Sequence, residues 1–358
     1  MNIARPTSAS KRVYGIDAFR LFTSIFVITA HGGRFELFPE IVHDIAGIAG
    51  KWGVPFFFIV LGFFLGRSSD KNRAIPQMMR MATMFLLASL LMIPLDVMQE
   101  GGYGALTTVS TYFLVCGGHF HLWFLSSLIM GLLVIRVTDE YELSWLLPVA
   151  AITALVVAVW LGTYWTADSV NMGRHLISIP YLWFGMLLSK RSLTVPTSLT
   201  MIAGGIGILC IETSVLHQFG RGPWLAPTTI GAVPFAVGMF GLASNLPNTR
   251  LIERIGKLGM RFTGCIYVTH VYFIYLVDQL ATGAGIRDNL VYCALVIPIV
   301  FSLNLLTLLA VDKAAPICID ILLGDKGAIQ RAGRAFSSLP KNWAEITGIF
   351  QASRSRQP

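Results

Sequence analysis

Charge is what this chain lacks. Asp, Glu, Lys and Arg together make up 13% of its 358 residues, about half of the ~25% that a soluble globular domain carries. A chain without that polar coat cannot cover a water-facing surface, and lipid is the solvent that makes the coat unnecessary. Acidic residues are the scarcer sign, 19 against 27 basic, for a net charge of +8. The basic residues sit in short clusters between apolar runs, not in a stripe interleaved with aromatics, so a nucleic-acid partner is not expected. Cysteine is sparse too, and Cys116, Cys210, Cys265, Cys293 and Cys318 show no paired spacing. Neither a disulfide framework nor a zinc site is indicated, and no metal is expected. Buried cysteine acting as a small hydrophobe fits the apolar neighbours better. Internal repeats are not visible, which leaves a repeat-built transporter without support.

What the chain has is apolar surface: 54% of it is hydrophobic and 11% aromatic. Stretches long enough to span a bilayer fall near 17–38, 52–66, 78–98, 120–137, 145–163, 175–189, 198–217, 225–244, 262–281 and 289–311. The expected fold is all-α, a polytopic membrane bundle of about ten transmembrane helices. Arg5, Lys11 and Arg12 ahead of the first stretch imitate a signal peptide. No small-x-small cleavage site follows directly, so that stretch is read as a retained first span.

Basic residues sort by loop. If the N-terminus is cytoplasmic and spans alternate, 22 Lys and Arg lie inside, and only Arg34, Lys51, Arg174, Arg221 and Arg287 lie outside. A missed span would scramble that asymmetry, so both termini are expected in the cytoplasm. Residues 1–14 then form a cytoplasmic segment and 15–312 the membrane domain. Residues 313–358 form a cytoplasmic tail, amphipathic or partly disordered.

The first span carries a polar face. Eleven steps lead from Arg20 to His31, roughly 1100° of helix, about 20° past three full turns. Asp17 and Ser24 fall near the same line, so the four form one stripe on an otherwise apolar helix. Ionisable groups in a span normally face the bundle interior or a wet cavity. A cation at the cytoplasmic mouth and an imidazole about 16 Å deeper suit a long anionic ligand with a reactive tip. An anchoring Arg20 paired with Asp17, and an interfacial His31, would show the same spacing. His119 and His121 open the fourth apolar stretch, and His270 lies in the ninth with Tyr267 one turn before it. Several histidines in different spans point to a shared polar centre. Glu212 and Asp278 are further intramembrane acids that the sequence cannot place relative to it.

These residues resemble the acyltransferase-3 family of integral membrane acyltransferases, along the chain to about residue 312. The family opens on a Gly-x-Asp-x-x-Arg turn, here Gly15 to Arg20, followed by an Arg and a His separated by ten residues, here Arg20 and His31. Pro55-Phe56-Phe57-Phe58 is similar to its second-span motif, although Leu61 replaces the usual Ser before Gly62-Phe63. His121-Leu122-Trp123-Phe124-Leu125 is similar to the polysaccharide and nodulation-factor branch, and Tyr267 with His270 to a Tyr-x-x-His element.

The resemblance implies transfer of an acyl group, usually acetyl from acetyl-coenzyme A, to a hydroxyl of a carbohydrate or glycolipid, with the enzyme multi-pass in a bacterial inner membrane. His31 is then expected as general base or transient acyl carrier. Arg20 is expected to bind coenzyme phosphate. His121, His270 and Tyr267 form a second catalytic tier. Asp17, Ser24, Arg67, Arg73, Arg80 and Trp123 are expected along the substrates. A non-enzymatic glycolipid or sugar carrier is the competing class, because buried ionisable groups serve proton-coupled transport equally well.

Overall fold

The computed structural model describes residues 12–33, 35, 37–100, 121–164, 173–220 and 228–337, and among these there is no strand. The helices run in the order α1 (Tyr14–Gly32), α2 (Glu40–Gly50), α3 (Gly53–Gly66), α4 (Ala74–Glu100), α5 (Trp123–Glu140) and α6 (Leu147–Tyr164). They continue with α7 (Ser178–Leu188), α8 (Val195–Gln218), α9 (Ala232–Asn245), α10 (Arg250–Gly283), α11 (Leu290–Ala314), α12 (Pro316–Leu322) and α13 (Lys326–Ser337). The all-α expectation is met.

Among the described residues, 6 helices are long and apolar enough to cross a membrane, against the ten stretches expected. The others fall short for readable reasons. Helix α1 carries Asp17, Arg20 and His31 among its 19 residues, α5 ends on Arg136, Asp139 and Glu140, α7 has 11 residues and α9 has 14. The second stretch is longer than expected, because α2 and α3 follow each other closely enough to make one 27-residue span, Glu40–Gly66. The ninth is longer as well. Thr249 caps α10 by accepting from the Ile252 amide at 3.3 Å, and a Glu253–Lys257 pair supports its first turns. The helix therefore begins twelve residues before hydropathy rises at 262.

Side-chain size along α6 is sorted in reverse of a soluble helix. Ala151, Ala154 and Ala158 are buried, whereas Val149, Ile152, Val156 and Trp160 are exposed. Small residues let neighbouring helices approach and large apolar ones turn outward, which is favourable only when the surroundings are lipid. Helices α4 and α11 show the same outward band at Leu86, Leu90, Leu295 and Leu306. The chain is a multi-pass membrane protein.

Connections gather at the two ends of the bundle. At one end Lys71 pairs with Glu142, Asn248 donates to the Arg12 carbonyl, Asn245 to that of Leu193, and Arg261 pairs with Asp312 and Asp320. At the other, His217 meets Asp44 at 2.9 Å, and Asp278 accepts from Arg287 and Tyr292. Beyond residue 312, α11 runs to Ala314, Ile319 of α12 is buried and Leu323 lines a cavity. Helix α13 is amphipathic, with Ala328 buried and Lys326, Arg331 and Arg334 exposed; residues 338–358 lie outside the described ones.

Two helix pairs depend on glycine contacts. A Cβ on Gly259 of α10 would collide with the Asp17 carbonyl of α1. Gly62 of α3 and Gly185 of α7 pack reciprocally, each against the other helix's backbone. Gly259→Ala should therefore force α1 and α10 apart at a cost of about 1–3 kcal/mol. Gly204→Ala on α8, where an added Cβ meets nothing within 4 Å, should be neutral or stabilise by up to ~1 kcal/mol. Thermal unfolding of the two detergent-purified variants checks both; equal Tm values would refute the close-approach reading.

Candidate active site

The site begins with a buried carboxylate. Asp17, 1% exposed in the first turn of α1, accepts from Arg12 Nε at 2.8 Å and from Arg20 at 3.1 Å. The second bond spans one helical turn and fixes the Arg20 guanidinium at the edge of a cavity of about 520 Å³, within the range of small-molecule sites. Arg73 and Arg80 line the same cavity with Ser68, Tyr267 and Leu323. Both added arginines are held by the protein. Arg73 donates to the Ser68 carbonyl at 2.8 Å and pairs with Asp139; Arg80 donates to the Leu323 carbonyl at 2.8 Å. At the same end Lys71 and Glu142, both exposed, form an ion pair at 2.8 Å. Its hydrogen bond holds the Glu142 carboxyl below, and the Lys71 ammonium above, their ordinary values.

Three of the expected substrate contacts lie elsewhere. The Arg67 guanidinium sits 4.7 Å over the Phe63 ring and lines a separate cavity of about 280 Å³ with Lys190 and Arg191. Buried Ser24 donates to the Arg20 carbonyl at 3.2 Å, the backbone-directed bond that serine commonly makes inside helices. Asp17 acts through Arg20 and does not line the cavity.

Three imidazoles from three elements converge beyond the cavity. His31 closes the last turn of α1, His121 stands in the turn before α5, and His270 is inside α10. Their ring centroids are 5.3 Å apart for His31–His270, 5.2 Å for His121–His270 and 6.3 Å for His31–His121. His121 and His270 are fully buried. Nδ1 of His270 lies 2.7 Å from the Tyr267 carbonyl and 3.2 Å from that of Ile266. A carbonyl can only accept, so Nδ1 carries a hydrogen and is the donor in these contacts. The Tyr267 hydroxyl donates to the His121 carbonyl, tying α10 to the entry of α5. His119 lies outside the described residues.

On the far side of the histidines is a chamber of about 410 Å³. His31 and Trp123 line it, together with His43, Lys51 and Arg174. Arg174 places its guanidinium 5.6 Å from the Trp123 ring centroid. Sequence reasoning passed over these last three residues, although Lys51 and Arg174 are among the five basic residues it sorted outside. Glu212 and Asp278 belong to neither space. Glu212 accepts from the Ile230 and Gly231 amides at 2.7 and 3.0 Å, just before α9.

Among the described residues, Arg20 and His31 therefore line different cavities. Between them lies an aromatic layer, with Phe57 and Phe124 at 5.9 Å and Phe124 and Tyr267 at 5.1 Å between centroids. Helical spacing puts Arg20 and His31 on one side of α1, and Phe57, Phe124 and Tyr267 of α3, α5 and α10 line the Arg20 cavity. Tyr267 borders the Arg20 cavity, and its ring lies 5.8 Å from His121 and 6.2 Å from His270. Among the described residues, no group of three or more His, Cys, Asp or Glu is arranged to hold a metal ion.

Comparison with known proteins agrees with this architecture. The family model described as an acyltransferase domain, acyltransferase-3, matches residues 13–309. An amino-acid racemase of Enterococcus faecalis is 25% identical over 185 residues, covering 48% of this chain and 26% of that protein. A serine/alanine racemase of Enterococcus gallinarum is 27% identical over 237 residues, covering 57% and 33%. The chain thus matches only a quarter to a third of the length of these curated relatives. No solved structure matches it. With the family match running from the start of α1 into α11, across both cavities and the three histidines, the chain belongs to the acyltransferase-3 family and its membrane bundle is an acyltransferase domain.

Proposed function

We propose that this chain is an acyl-coenzyme A-dependent O-acyltransferase, moving an acetyl or short acyl group to a hydroxyl of a cell-envelope carbohydrate. The observation that carries this reading is the cluster of His31, His121 and His270, set between an arginine-lined cavity and a second chamber. The arginine-lined cavity receives the donor from the cytoplasm. Arg20 faces the coenzyme phosphates, because a guanidinium matches phosphate oxygens bidentately, and Arg73 and Arg80 add to the field. The thioester end reaches the histidines past the aromatic layer, and the acceptor lies in the second chamber.

His31, which lines that chamber, removes the proton as the acceptor oxygen attacks the thioester carbonyl. The tetrahedral intermediate then collapses with cleavage of the carbon–sulfur bond. The imidazolium returns its proton to the departing thiolate, so the base is regenerated. An equivalent route passes the acyl group through His31 nitrogen first. His270 and His121 hold and relay the proton, and Tyr267 positions His121 through its backbone bond.

Two cavities joined to one cluster of buried ionisable groups are also what a carrier needs, and this favours a sugar or glycolipid carrier as the second reading. Membranes incubated with labelled acetyl-coenzyme A and envelope glycans separate the two. Label moving onto glycan supports the enzyme; glycan uptake without covalent transfer supports the carrier.

His31→Ala at unchanged membrane abundance should lower transfer by 10²–10⁴-fold, the range for losing a general base; wild-type turnover would end the proposal. Arg20→Lys keeps the charge but not the fork. It should raise KM for the acyl donor more than it lowers kcat, and an unchanged donor KM would reduce Arg20 to an anchor. Tyr267→Phe removes the bond to the His121 carbonyl. Lower kcat at constant donor KM, with a stability loss of about 0.5–1.5 kcal/mol, is the expected pattern; reduced donor affinity would make Tyr267 a donor contact instead.

A further inference from the structure

One wall of the Arg20 cavity comes from beyond α11. Leu323, in the turn that joins α12 to α13, lines that cavity beside Arg80 of α4 and Gly264 of α10. Both neighbours hold it. The Nε of Arg80 donates to the Leu323 carbonyl at 2.8 Å. The Leu323 side chain lies against Gly264, where an added Cβ would come within 2.8 Å of its Cδ2. The next residue, Gly324, is buried with a φ of 72°. It packs on the Arg80 carbonyl, which an added Cβ would approach to 2.7 Å. Glycine is the residue that combines a left-handed backbone with so close an approach.

Behind this turn, α12 is clamped to α10. Arg261 donates through Nε to Asp312 at 3.1 Å and through Nη1 to Asp320, and its Nη2 reaches the Pro316 carbonyl at 3.3 Å. Arg261 follows Met260, which lines the cavity, but itself points to α11 and α12. Ile319 of α12 is buried, and Asp325 starts α13 by accepting from the Ala328 amide at 2.7 Å. The Leu323 carbonyl is therefore a fixed acceptor. A long arginine side chain loses rotamer freedom when it grips a ligand, and one already bound to a fixed carbonyl has lost part of it beforehand.

We infer that the α12–α13 turn and its Arg261 clamp form a positioning element for the donor site, holding the Arg80 guanidinium at the cavity wall, set for a phosphate of the acyl donor. This rests on the reading of the Arg20 cavity as the place where acyl-coenzyme A binds. Arg261 and Gly324 are positioning residues: they act through Leu323 and Arg80 and touch no substrate.

Coenzyme A binding to the detergent-purified full-length protein, measured by equilibrium dialysis, is the test. Gly324→Val strains the turn and pushes on the Arg80 carbonyl; Arg261→Gln releases α12 from α10. Each should raise the Kd for coenzyme A by about two- to ten-fold, the range for losing the preorganisation of one long side chain. In an Arg80→Ala background the same substitutions should leave the Kd unchanged, because the group they position is gone. A general loosening of the bundle would instead weaken binding with or without Arg80. Arg261→Gln carries the test should Gly324→Val fail to fold.

Unchanged affinity in either folded variant, or an equal loss of affinity in both backgrounds, overturns the inference and leaves the donor reading standing. A wild-type protein that does not bind coenzyme A retires the donor reading, and the inference with it.

Discussion

Everything at the candidate active site depends on how closely α1 approaches α10. Gly259 presents no side chain where the Asp17 carbonyl passes, so the two helices pack backbone to backbone. That contact brings His31 of α1 to within 5.3 Å of His270 of α10, ring to ring, and sets Arg20 and Tyr267 on the wall of one cavity. Asp17 serves the arrangement twice: its backbone defines the approach, and its carboxylate holds Arg12 and Arg20. A carboxylate this deeply buried is tolerable only because two guanidinium groups answer it.

The aromatic layer divides the protein into two electrostatic compartments. On one side Arg73 and Arg80 are bound to backbone carbonyls, as fixed elements of a wall. On the other, Lys51 and Arg174 share a chamber with Trp123 and His31. The imidazoles stand where the compartments come closest. Histidine suits that boundary because it can gain or lose a proton near neutral pH and its two nitrogens can face different partners. The Nδ1 of His270 is committed to the Tyr267 and Ile266 carbonyls, which orients the rest of the ring.

Lipid as solvent explains both the packing and the scarcity of charge. Small residues of α6 face inward and large ones outward, so helix association relies on fit more than on burying apolar area. Ionisable groups inside the bundle are accordingly answered by partners: Glu212 by two backbone amides, Asp278 by Arg287 and Tyr292. Both acids, noticed in the sequence but not placeable from it, are local ties near helix ends.

The sequence by itself determined the solvent, the helical class and the polar face of the first helix, because hydropathy, charge scarcity and a 100° periodicity are properties of neighbouring residues along one chain. It also supplied His31, His121 and His270 as candidates, since an imidazole in an apolar run stands out wherever the run is later placed. Only the tertiary structure decided that those three meet, that Arg67 and Ser24 stay out of the Arg20 cavity, and that Arg20 and His31 line different cavities. It alone revealed α2, and with it a chamber lined by His43, Lys51 and Arg174. The reason is that a cavity is bounded by side chains from helices far apart in sequence. Periodicity fixes which way a residue points from its own helix, but the space it points into belongs to its neighbours.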